Sequence, residues 1–105
     1  MKKIYQKLVR DRIPGIIEDV GKPFATRTAS EEELLGYAFK KLQEEVQEFI
    51  EDPCAEEAAD IMEIFHFICD QLALSDLAIR SERIAKRVSR GAFEKHLILE
   101  WVEEE

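Results

Sequence analysis

Apolar residues recur at helical spacing along most of the chain. Ile13, Ile16, Ile17 and Val20 share one helical face. They predict a first helix over 12–20, with Asp11 as N-cap, Pro14 in the first turn and Gly21 as the stop. Residues 22–28 read as extended. Leu35, Phe39, Leu42, Val46 and Phe49 predict a second helix over 31–51, capped by Ser30 and acidic in its first turn. Asp52-Pro53 ends it and opens a third helix over 53–74, since Pro suits a first helical position. Its stripe is Ile61, Ile64, Phe65, Ile68 and Leu72. Ser75 caps a fourth helix over 76–90, with Leu77, Ile84 and Val88 as its stripe, and Gly91 closes it. The tail 93–102 is rich in aromatic and branched residues and reads as a strand. The expected fold is mainly all-α: two long antiparallel helices, two shorter ones, and a small two-stranded β ribbon between 22–28 and 93–102.

Helical phase singles out four acids. Advancing ~100° per residue from Leu42, Glu45 lies ~60° from the stripe centre and Glu48 ~120° away on the same side. On the third helix Glu57 falls ~40° from Ile61 and Asp60 ~100° away on that side. An antiparallel pair with a short turn brings Glu45, Glu48, Glu57 and Asp60 to one end. Converging carboxylates must take up protons or bind cations, and an all-oxygen set suits magnesium or manganese. The remaining Glu residues of the helices, such as Glu31, Glu56 and Glu63, read as a solvated face.

Positive charge falls in two places. Arg80, Arg83, Arg87 and Arg90 flank the stripe of the fourth helix, a shape that suits phosphate oxygens or pairing with neighbouring acids. Lys7, Arg10 and Arg12 precede the first helix. Neither cluster has the interleaved aromatics of a nucleic-acid platform.

Composition narrows the classes. The chain has 105 residues, 15 Lys plus Arg against 23 Asp plus Glu, and a net charge of −8. That field repels a nucleic-acid polymer, and a chain of this charge that handles phosphates needs bound cations. The near-apolar run 61–69 is broken by Glu63 and His66 and is far short of the ~20 residues of a membrane span. No secretory leader is legible, so the cytoplasm is the expected location. Cys54 and Cys69, on one helix, would stand ~22 Å apart, too far for a disulfide, and read as buried reduced thiols. Glu63-x-x-His66 is half of a di-iron motif without its second copy. Phe39, Phe65 and Trp101 could stack on a base, but their spacing reads first as core.

The motif Lys41-Leu42-x-Glu44-Glu45-x-x-Glu48 followed by Glu57-x-x-Asp60 resembles the signature of the all-α nucleoside triphosphate pyrophosphohydrolases, the MazG-like superfamily. Tyr5-x-Lys7-Leu8-Val9-Arg10-Asp11-Arg12-Ile13-Pro14, with Arg90-Gly91-Ala92-Phe93 and Ile98-Leu99-Glu100, resembles its phosphoribosyl-ATP pyrophosphohydrolase-like, house-cleaning branch. The resemblance implies a single MazG-like domain over 1–105. It implies hydrolysis of a nucleotide to the monophosphate and pyrophosphate. Glu45, Glu48, Glu57 and Asp60 would hold Mg2+, with Mn2+ as a substitute. Glu44, with Glu45, would form the catalytic pair, Glu44 orienting the attacking water. Lys41 would touch a phosphate. Arg80, Arg83 and Arg87, or Lys7 and Arg10, are further candidates for the outer phosphates, inferred from charge alone. Only residues 49–56 separate Glu48 from Glu57, so the turn is tight and leaves no room for an insert over the substrate.

Two long helices with one apolar stripe each leave much surface unburied in a 105-residue chain, and the resemblance implies pairing of such helices across a dimer, so a homodimer or higher homo-oligomer is expected, with the base pocket built from both subunits. The competing readings are a non-catalytic helical module that binds a partner, and an iron-binding helical protein.

Overall fold

The computed structural model describes residues 1–105. It contains four helices and no strand: α1 (Ile13–Asp19), α2 (Glu31–Glu51), α3 (Ala55–Gln71) and α4 (Asp76–Arg90). No helix is long and apolar enough to cross a membrane. The chain divides into two units, residues 1–73 and 74–105.

In the first unit α2 packs on α3. Ala38 clusters with Ile64 and Ile68, while Glu45 meets Glu57 and Asp60, so the two helices run antiparallel. Ala38 is fully buried, and its methyl side chain lets the helices approach closely. Leu8, Leu35, Leu42 and Phe67 close the cluster, and Cys69 is also buried. The capping box at the start of α2 is complete. The Ser30 hydroxyl accepts from the Glu33 N–H at 3.3 Å, and the Glu33 carboxylate accepts from the Ser30 N–H at 2.9 Å. Arg27 then grips Glu33 through both guanidinium nitrogens, each at 2.8 Å.

Several expectations shift. α1 begins at Ile13 with Arg12, not Asp11, in the N-cap position and without a side-chain cap. Asp52 caps the C-terminus of α2 through its N–H, and Cys54 precedes α3, so Pro53 sits in the turn and not in the helix. α3 ends at Gln71, because Ala73 turns into the left-handed region at φ 57°. Cys54 is exposed, not buried; both cysteines are unbridged.

The stripes are also rotated from their predicted centres. Phe39, Val46, Phe65 and Leu72 lie exposed, because α2 and α3 each offer one face to the other and their apolar arcs are wider than that face.

In the second unit the Ser75 hydroxyl caps α4 by accepting from the Ala78 N–H at 3.1 Å, and Gly91, at φ 83°, stops it. No residue of α4 is buried. The segments 22–28 and 93–102 have no strand structure, so the ribbon is not formed. Side chains on both faces of the 97–102 tail are exposed, and a strand with neither face covered has nothing to offset the ordering of its backbone.

Candidate metal centre

Glu45 is the one buried charged residue, 6% exposed. It lies in the row Leu35, Ala38, Leu42 and Glu45, four inward positions at helical spacing. Its placement is therefore a product of the packing of α2 on α3. Across the interface, Glu57 and Asp60 occupy the first turns of α3, just past the turn at 52–54. One carboxylate oxygen from each of Glu45, Glu57 and Asp60 lies within 4.8 Å of the other two.

Two atoms of this group lack partners. Glu45 Oε2 and Glu57 Oε2 are buried without a hydrogen bond. A carboxylate oxygen shut off from water and left unpaired is unfavourable, so the fold holds the pair at an energetic disadvantage. Burial pushes the Glu45 carboxyl up, with Glu48 adding to the rise and Lys41 opposing it. Glu57 is likewise raised, by desolvation first and then by the negative charges of Asp60 and Glu45.

The donor set fits a hard divalent cation. Three carboxylate oxygens within 4.8 Å of one another are the all-oxygen donor type such an ion takes. Such an ion would satisfy the orphaned oxygens that no protein donor reaches.

Lysines and an arginine surround the acids. Lys41 Nζ lies 3.2 Å from Glu45 and 3.7 Å from Glu44. The N-terminal segment reaches the same place: Lys7 Nζ donates to Glu44 at 3.0 Å and Arg10 to Asp60 at 2.7 Å. The Lys7 contact holds the Glu44 carboxyl below its ordinary value.

Of the four acids that phase singles out, three form the trio and Glu48 stands beside Glu45, outside it. Lys7, Arg10 and Lys41 are brought to the acids, and Glu44 with them. Arg80, Arg83 and Arg87 lie on α4 in the second unit, where Arg87 comes 3.9 Å from Glu94. His66 contacts Asp70 at 3.3 Å, one turn along α3, rather than joining a metal set. Phe39 and Phe65 are half-exposed and Trp101 more so; none belongs to the core.

The two cross-segment ion pairs, Lys7 to Glu44 and Arg10 to Asp60, were not legible as pairs. The only signal for them was the density of charge in residues 7–12, and their partners are 37 and 50 positions away. Compared with known proteins, the chain matches no family model, no curated protein and no solved structure.

Proposed function

We propose that the chain is a magnesium-dependent nucleotide pyrophosphohydrolase of MazG-like type, a single domain over 1–105 that acts as a homodimer or higher homo-oligomer in the cytoplasm. Its substrate is a nucleoside triphosphate or related nucleotide, of the non-canonical or phosphoribosyl-ATP class, cleaved to the monophosphate and pyrophosphate. The observation that carries this reading is the buried Glu45 carboxylate, with an unpartnered oxygen, facing Glu57 and Asp60.

Magnesium bound by Glu45, Glu57 and Asp60, with Glu48 beside them, would supply charge neutralisation and a more acidic water. Glu44, kept ionised by Lys7 and Lys41, would orient that water. Lys7, Arg10 and Lys41 are the phosphate contacts. They meet the acids at 2.7–3.2 Å, close enough to exchange a carboxylate for a phosphate oxygen. The exposed Phe39, Val46 and Ile50 of α2 and Met62 and Phe65 of α3 would be covered by the same helices of a second copy.

The test is a nucleotide panel scored for pyrophosphate, with magnesium, manganese and chelator. Release with either metal from at least one nucleotide is expected, with loss of at least about 100-fold in Glu45→Gln or Asp60→Asn. Arg10→Ala should raise KM more than it lowers kcat. A panel without release above the Glu45→Gln background contradicts the proposal.

A further inference from the structure

The second unit, residues 74–105, pairs a basic, apolar helix with an acidic, apolar tail and covers neither. On α4, Leu77 is 73% and Val88 82% exposed, and Ile84 lies between them on the same face. Arg80, Arg83, Arg87 and Arg90 run along one flank of that stripe. The tail carries Phe93, Leu97, Ile98, Leu99, Trp101 and Val102, every one exposed, with Phe93 at 95%. Its charges are Glu94, Glu100 and Glu103 to Glu105 against one lysine, Lys95. An exposed apolar patch of this extent marks an interaction site.

The charges identify the occupant. We propose that the tail of one copy lies on α4 of a second copy, and that the exchange is reciprocal about a two-fold axis. The apolar side chains of the tail meet Leu77, Ile84 and Val88, and its glutamates meet the arginine flank. Within one copy Arg87 and Glu94 come 3.9 Å apart at the junction of helix and tail, an instance of the same charge pairing. A surface complementary to another surface of the same chain is what a closed two-fold dimer requires. Covering Leu77, Ile84 and Val88 with Leu97, Leu99 and Trp101, which share one side of an extended tail, at about 100 Å² each on both copies removes on the order of 1,200 Å², the lower end of a specific interface. The inference is independent of catalysis, and it gives the arginines of α4 an ionic role at a protein surface in place of a nucleotide.

Charge reversal in the full-length chain tests it. One variant carries Arg83→Glu and Arg87→Glu; the other carries Glu100→Lys, Glu103→Lys and Glu104→Lys. All five positions are exposed, so helical content by circular dichroism should be unchanged. By sedimentation velocity, each variant alone is expected to lose one association step, its dissociation constant rising at least tenfold. An equimolar mixture is expected to regain that step, because each reversed tail then meets a helix of opposite charge on the other protein. Variants that associate like the parent overturn the proposal. So do variants that weaken but are not rescued on mixing, which is the behaviour of a tail docked on its own helix.

Discussion

Glu45 concentrates the conflict between stability and function in one side chain. Its charge lies in a packed interface beside Glu57 and Asp60, and Lys41 at 3.2 Å offsets only part of the cost. Glu45→Gln keeps the shape and removes the charge. In chelator at neutral pH the variant should therefore be more stable than the parent by about 1 kcal/mol, a rise of about 4–8 °C in Tm for a domain of this size. Added magnesium should raise the Tm of the parent and leave the variant where it was. Differential scanning calorimetry with and without magnesium checks both; a Glu45→Gln protein that is less stable in chelator would mean that the carboxylate is satisfied by its neighbours alone. At this scale the sequence was informative, because inward phase is a property of spacing. It placed Glu45 ~60° from the centre of the stripe, whereas packing puts it in the buried row with Ala38 and Leu42. Ala38 carries too little apolar surface to weigh in a stripe, yet it is the most deeply buried residue of the core.

At the scale of elements, the start of α2 is the best specified part of the chain. Ser30, Glu33 and Arg27 form one hydrogen-bonded group, and the Arg27 guanidinium lowers the Glu33 carboxyl from 4.5 to about 2. The folded pKa lies below the unfolded one, so between those values the unfolded chain holds more protons. The stabilisation is complete above about 4.5 and is lost as pH falls toward 2. Arg27→Gln should accordingly lower stability at neutral pH and leave it nearly unchanged near pH 2, as read by denaturant unfolding followed by circular dichroism at the two pH values. Ser30→Ala should cost about 1 kcal/mol at any pH above the transition. Ser30 and Ser75 announce their caps in sequence, whereas Asp11 and Asp52 suggest N-caps that the chain does not form; the ends set by backbone geometry carry no such signal. α3 stops where Ala73 adopts φ 57°, a conformation usually given to glycine or asparagine, so nothing at that position signals the end. The absent ribbon has a related cause. Branched and aromatic residues favour a strand only when something covers them, and 93–102 is uncovered within one chain.

For the whole molecule the dominant fact is apolar surface left open in both units. Four helices were legible because their periodicity is long and regular; which face would be buried was not, since the stripes of α2, α3 and α4 exceed what one chain can cover. The protein should therefore not be a monomer at micromolar concentration. Multi-angle light scattering should give at least twice the 12.2 kDa chain mass, and Phe39→Glu or Phe65→Glu should lower it while preserving helicity. A monomer mass for the parent would remove the covering role assigned to a second copy.

The divalent cation proposed between Glu45 of α2 and Glu57 and Asp60 of α3 is open to direct measurement. Manganese binding followed by electron paramagnetic resonance addresses it without any substrate. The parent should bind manganese with magnesium as a competitor, and affinity should fall at least tenfold in Glu45→Gln and in Asp60→Asn. Manganese that stays free at millimolar protein, or that binds the parent and both variants alike, would contradict it.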